Sequence, residues 1–272
     1  MKSNIPKLTH IIPSQGSGRV GAVTSLADDV FVARCNSLQI EVYDSVTFVL
    51  KRHLTVPGLG SRVFGLIASL SNSCLCVSDF DHNRIHRVEL SGSNAVKEWS
   101  VGSKPAGLSM NNAHNLVVAC CGANKLQEYT MDGILVREIS LQAGVTSPRH
   151  AIQLSTGNYV VSQNRSGAVS VVTVDGQVVH SYGQSQTSDV GQMRNPTSLA
   201  VTSNDDILVA DVMNNRILSI DRSLSRAQEL ALSVDGGINQ PVGLCLDEPT
   251  GRLYVCEFSG QCRVLVFDSV KV

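Results

Sequence analysis

Aromatic side chains are scarce in this chain, with one Trp, five Tyr and six Phe among 272 residues. A core of that size must then be built from Val, Leu, Ile and Ala, which suits narrow strands packed as stacked sheets. Helical periodicity is missing from every segment, which argues against a helix bundle. No apolar run approaches the ~20 residues of a membrane helix, and the first six residues lack the apolar stretch of a signal peptide. An excess of charge is missing too: 22 basic and 23 acidic residues give a formal net charge of −1. Nothing draws the whole molecule to nucleic acid or to an anionic membrane, so any electrostatic role must come from how charges are arranged. These absences predict a cytoplasmic protein with no membrane partner, monomeric as an isolated domain.

Cysteine is present, but not in a pattern that makes a framework. The eight cysteines mostly sit inside or beside predicted strands, with no C-x-x-C pair and no Cys/His spacing of a zinc site. They are expected to be buried thiols of a reducing compartment. No metal, no cofactor and no catalytic residue is expected.

What the chain does contain is repetition. Ile207 to Ile220, ILVADVMNNRILSI, places an Asp after one β-rich run and Asn215-Arg216-Ile217 at the head of a second. Leu75 to Val88, LCVSDFDHNRIHRV, repeats the design around Asp79 and Asn83-Arg84-Ile85. Weaker copies follow Val32, Val118, Val161 and Val255, making six. The apolar run upstream of each begins at Gly21, Gly65, Gly107, His150, Ser198 and Gly243, at intervals of 44, 42, 43, 48 and 45 residues by subtraction. A period in the forties with several strands per repeat is the signature of a β-propeller. Repeated Asp and Asn side chains are expected to serve each blade structurally, by bonding loop amides or neighbouring blades.

These motifs resemble the NHL repeat, whose Asn-His-Leu triplet stands here as Asn83-Arg84-Ile85 and Asn215-Arg216-Ile217. The resemblance implies an all-β fold, a single six-bladed propeller of four-stranded antiparallel blades spanning residues 1–272. Blades are expected at about 20–50, 63–99, 106–141, 150–182, 197–232 and 242–268. The last repeat offers only three strands, so a strand within residues 1–18, at Leu8 to Ile12, is predicted to close the ring. A polar surface loop is predicted from Gly183 to Arg194.

Propeller topology sorts the charges. The connection into each inner strand shares one face with the loop between second and third strands. Arg19, Arg62, Lys104, Arg149 and Arg194 precede five inner strands, and second-to-third loops add Arg34, Lys125, Arg165 and Arg216. The opposite face collects Asp28, Asp29, Asp132, Asp175, Asp205, Asp206, Asp221, Asp247 and Glu248. A basic ring on a concave rim suits a polyanion, and Phe64, Phe80, His82, His150 and Phe258 lie near enough to stack on bases, although Phe80 and Phe258, at matching positions, are expected to be packing plugs.

Similarity to the NHL propellers of tripartite-motif proteins implies a non-enzymatic module that selects its target by binding single-stranded or hairpin RNA. The candidate contacts are Arg19, Arg34, Arg62, Lys104, Lys125, Arg149, His150, Arg165 and Arg194. The alternative is a protein-protein interaction scaffold or substrate adaptor that uses the same face without RNA. A metal-dependent lyase or lactonase ranks last, because five of the six inner-strand starts carry Gly or Ser where those enzymes need several His ligands.

Overall fold

The computed structural model describes residues 6–14, 18–183 and 190–270. Residues 184–189, the middle of the predicted polar loop, lie outside the described residues, as do 1–5 and 15–17 of the lead-in. The chain is a six-bladed β-propeller of four-stranded antiparallel sheets with one 3-10 turn at Val212–Asn214.

Strand β1 (Lys7–Ile12) precedes the first blade, which comprises β2 (Val20–Leu26), β3 (Asp29–Arg34), β4 (Gln39–Asp44) and β5 (Leu50–Thr55). Blade two holds β6 (Leu66–Ser69), β7 (Cys74–Asp79), β8 (Arg84–Glu89) and β9 (Val96–Ser100). Blade three holds β10 (Pro105–Met110), β11 (Leu116–Cys120), β12 (Lys125–Tyr129) and β13 (Leu135–Ser140). Blade four holds β14 (Pro148–Gln153), β15 (Tyr159–Gln163), β16 (Ala168–Val172) and β17 (Val178–Tyr182). Blade five holds β18 (Pro196–Val201), β19 (Ile207–Asp211), β20 (Arg216–Ile220) and the short β21 (Ala227–Glu229). Blade six has β22 (Pro241–Asp247), β23 (Arg252–Glu257) and β24 (Val264–Asp268).

Strand β1 supplies the missing outer strand of blade six. It runs antiparallel to β24, with Leu8 opposite Phe267 and Ile12 opposite Val264. Ile12 is fully buried. The ring therefore closes by pairing strands from the two ends of the chain, which removes the open edge that β24 would otherwise present.

Burial follows the pattern expected of stacked sheets. The second strands of blades two to five are buried at every residue, and those of blades one and six at all but the first, whereas outer strands such as Leu135–Ser140 are mostly exposed. Six apolar clusters result, one in each interface between adjacent blades. Stability is thus distributed around the ring in blade-to-blade contacts rather than held in one central core.

Inner strands β10, β14, β18 and β22 each start with Pro. An inner strand is an edge strand facing the channel, so proline's missing N–H leaves no ladder bond unmade. In five blades a register shift follows at the start of this strand, and such a bulge bends the strand and sharpens its twist.

Side chains at repeated positions tie the blades together, as expected of the Asp anchors. Asp79 accepts the Gly60 amide at 3.0 Å, and Asp211 accepts the Arg194 amide at 2.6 Å. Burial acts to raise the Asp79 carboxyl, but hydrogen bonds from His82, His86 and the Gly60 amide outweigh it and hold the group below the usual carboxylate range. On the opposite face, Asp205 accepts the Ser155 amide at 2.9 Å and Glu248 accepts the Ser203 amide at 3.0 Å, each bond crossing from one blade to the preceding one. Part of the acidic face is thereby spent on joining blades.

Candidate anion-binding face

In each blade one residue directly follows the second strand. In chain order these are Cys35, Phe80, Cys121, Asn164, Val212 and Phe258. Asn164, Val212 and Phe258 border the channel itself, and Phe80, Cys121 and Asn164 border an adjoining pocket. The collar is largely apolar, and the basic residues stand around it.

Three of those residues lie over phenylalanine rings. The guanidinium carbon is 4.7 Å from the ring centroid in Arg19 over Phe258, 4.5 Å in Arg62 over Phe80 and 3.7 Å in Arg149 over Phe64. Phe64 and Phe80 meet edge to face at 5.2 Å. Phe64 was a candidate platform for bases, and Phe80 and Phe258 were expected to be packing plugs; in the structure each ring holds a cation. A guanidinium kept flat in this way can itself stack on a base and grip a phosphate.

The structure gathers Lys104, Arg149 and Arg165 around one pocket of about 640 Å³ with Phe80, Cys121, Asn124, Thr146, Ser147 and Asn164. Among the described residues none of the three cations has a carboxylate within ion-pair distance. Arg149 is the second residue of β14, where blades three, five and six carry Ala106, Thr197 and Val242. It was expected just ahead of the strand. Because Pro148 takes the first strand position, Arg149 moves one step into the channel, and burial lowers its pKa from the usual guanidinium value.

Other predicted contacts lie elsewhere or are already engaged. Arg34 is buried at 4% exposure and is not on the rim: it pairs with Glu41 at 2.7 Å and donates to the Cys262 and Pro13 carbonyls at 3.0 Å. It stands where blades two and five carry Asp79 and Asp211, so relative to those anchors the charge is reversed, and Glu41 balances it. His150 is also internal. Its Nδ1 accepts the Leu199 amide and its Nε2 donates to the Leu108 carbonyl, both at 3.0 Å, which bridges the inner strands on either side. Burial lowers its pKa to about 4, so the ring is neutral and both nitrogens are occupied. Gly107 makes room for it, since a Cβ there would stand 2.5 Å from the imidazole.

Lys125 is half-buried and pairs with Glu138 at 2.6 Å. Arg62 is exposed and pairs with Asp81, and Arg216 pairs with Asp211 at 2.8 Å. Half-exposed His82 is held to Asp79 at 2.8 Å. Arg19 and Arg194 remain exposed on the face, with Arg194 placed by its amide bond to Asp211. Cys121, Asn124 and Asn164 were missed as lining residues, although Cys121 and Asn164 stand in the same register as Phe80. All eight cysteines are free thiols, and burial raises the Cys121 pKa despite its basic neighbours Arg149, Lys104 and Arg165.

The NHL repeat family matches residues 193–218 and 239–267, so the chain carries NHL repeats. No curated protein sequence matches it. Among solved structures it is similar to a streptogramin B lyase, at 14% identity over 95% of this chain and 96% of that one, with a TM-score of 0.70. It is also similar to the virginiamycin B lyase of Staphylococcus aureus, at 15% identity over 93% and 82%, TM-score 0.68. Kuenenia stuttgartiensis hydrazine synthase is a third, at 14% identity over 96% and 97%, TM-score 0.67. At such identities the likeness is one of fold alone.

Proposed function

We propose that this propeller is a non-enzymatic recognition module that binds single-stranded or hairpin RNA on its basic face. In a longer protein of the tripartite-motif type it would select the target. One observation carries the reading: Lys104, Arg149 and Arg165 converge on one pocket, and among the described residues no carboxylate pairs with any of them. Like charges brought together at a concave surface repel one another, and phosphates relieve that repulsion while releasing counterions. Arg19, Arg62 and Arg194 extend the same face around the mouth. The engagement of both His150 nitrogens supports the non-enzymatic reading, because the side chain that stands at an inner-strand start is neither a free base nor a free ligand.

The test is binding of a labelled, randomised single-stranded RNA pool across a salt series, with Lys104, Arg149 and Arg165 changed together to Ala. Three lost phosphate contacts should flatten the slope of log affinity against log salt by about 2, at ~0.7 per contact for a single strand. A folded wild-type protein that binds no RNA at low salt would overturn the proposal.

A second reading, a protein-interaction scaffold, is favoured by one feature. Ile134, Leu135 and Val136 at the outer edge of blade three are 66%, 49% and 51% exposed, and consecutive exposed apolar residues on an outer strand suit a protein partner. Substituting Leu135 and Val136 by Ser should leave RNA binding intact and weaken only a protein complex.

A further inference from the structure

Beneath the mouth, the inner strands enclose a central channel of about 490 Å³, within the range of small-molecule sites, roughly 300–1,000 Å³. Its walls include Leu66, Leu108, Leu199, Val201, Leu244 and Leu246. Several polar side chains along the inner strands are turned to neighbouring backbone. Ser109 donates to the Ala151 carbonyl at 2.6 Å, Thr197 donates to the Val242 carbonyl at 3.1 Å and Ser198 accepts the Leu244 amide at 3.0 Å. His150 is spent in the same way.

Arg149 is the exception. Among the described residues it is the one side chain in the lining that carries a charge, and none of the lining residues is Asp or Glu. It borders both the channel and the basic pocket, held over Phe64 where the channel opens. Arg149 is half-buried; its guanidinium rests on the Phe64 ring and lies beside Cys121, but among the described residues no carboxylate pairs with it, and a partly desolvated cation gains from an anionic partner. Neighbouring blades place Ala106, Thr197 and Val242 at this position, so the arginine is not a requirement of the blade. A largely apolar channel with one cation at its opening that has no carboxylate partner is complementary to a ligand with an apolar chain and a single anionic head.

We infer that the channel binds a small amphipathic carboxylate, with its chain among the inner-strand leucines and its carboxylate against the Arg149 guanidinium. This site is distinct from the RNA face in what it recognises, although the two share Arg149. A bound carboxylate neutralises the guanidinium and so removes one of the three cations offered to phosphate.

The probes are straight-chain alkanoates from hexanoate to dodecanoate, kept below micellar concentrations and titrated calorimetrically, with the corresponding primary alcohols as neutral controls. Affinity should rise about fourfold per added methylene and level off once the channel is filled. Each alcohol should bind at least tenfold more weakly than its carboxylate. Arg149→Gln should erase that difference, and Arg149→Lys should restore part of it. Val201→Trp, which adds bulk in the channel, should move the plateau to shorter chains; should this variant fail to fold, the wild-type chain-length series and the Arg149 pair still decide. Affinity that ignores chain length, or a carboxylate preference that survives Arg149→Gln, would overturn the inference whether or not RNA binds.

Discussion

Asn83 holds Lys104 across a blade boundary: its Oδ1 accepts the Lys104 amide at 2.7 Å. Asn83 has φ +56° and Lys104 φ +51°, so both residues adopt the left-handed conformation that Asn tolerates better than most side chains. The bond recurs as Asn124 to Ser147 at 2.8 Å and Asn215 to Gln240 at 2.9 Å. The Asn of the repeat is therefore a latch between blades, and in the second blade it also sets where a cation stands. Asn83→Ala should lose about 1–2 kcal/mol from the missing bond and the strained φ together, and lower the thermal midpoint by a few degrees. Asn83→Asp keeps the acceptor and should stay close to wild type in the same melt.

The Arg34–Glu41 pair gives a sharper test of placement. Both side chains are almost wholly buried, and the Tyr43 hydroxyl also donates to Glu41 at 2.9 Å. Arg34→Met should cost about 3–5 kcal/mol by stranding the Glu41 carboxylate. Changing Glu41 to Gln in that background should recover a substantial part, measured as a coupling in denaturant unfolding. An additive double mutant would show that the two residues do not act as a pair.

Ring closure depends on one strand. Deleting residues 1–14 strips β24 of its partner and uncovers the apolar surface against which Ile12 packs. The shortened protein should melt well below the full chain and scatter light as exposed β24 edges pair between molecules. An unchanged melting transition would refute closure by β1.

His150 predicts an acid limb in stability. Burial lowers its folded pKa to about 4 from an ordinary 6.5, so the folded protein binds the proton less well than the unfolded chain. The contribution is fully present above pH 6.5 and is lost as pH falls from there toward 4, amounting to about 3 kcal/mol at full protonation. His150→Gln should flatten this part of the pH profile of denaturant unfolding, after allowance for its overall lower stability. If both proteins show the same slope between pH 6.5 and 4, the imidazole is not the group responsible.

The six blades and the closing strand were legible because a repeat writes each element several times, and hydrophobic pattern and turn chemistry agree from copy to copy. Register within a loop was less so. Arg149 was expected on the rim, and only the observation that Pro148 already belongs to the strand moves it inward. Arg34 was expected among the exposed bases because its partner Glu41 lies seven residues away across a turn, and no local pattern announces the pair. Arg19 and Arg149 reach rings that belong to other blades, Phe258 and Phe64, so sequence spacing carried no sign that those rings would be occupied. The acidic residues of the opposite face did fall at the expected hairpins, but the bonds of Asp205 and Glu248 to preceding blades depend on how blades stack.

Closure by β1 also bears on the order of folding. Lys7 pairs with Asp268 and Ile12 with Val264, contacts that span almost the whole chain, while the other strand pairs join near neighbours in sequence. During synthesis blades one to five can assemble in turn, but β1 has no strand to join until β24 has emerged. The first strand of the propeller is therefore the last of its strands to be seated, and the entropy of closing the longest loop in the propeller falls on the final step. Until then Leu8 and Ile12 remain uncovered, which makes the interval between translation and closure the period in which this protein most needs protection from aggregation.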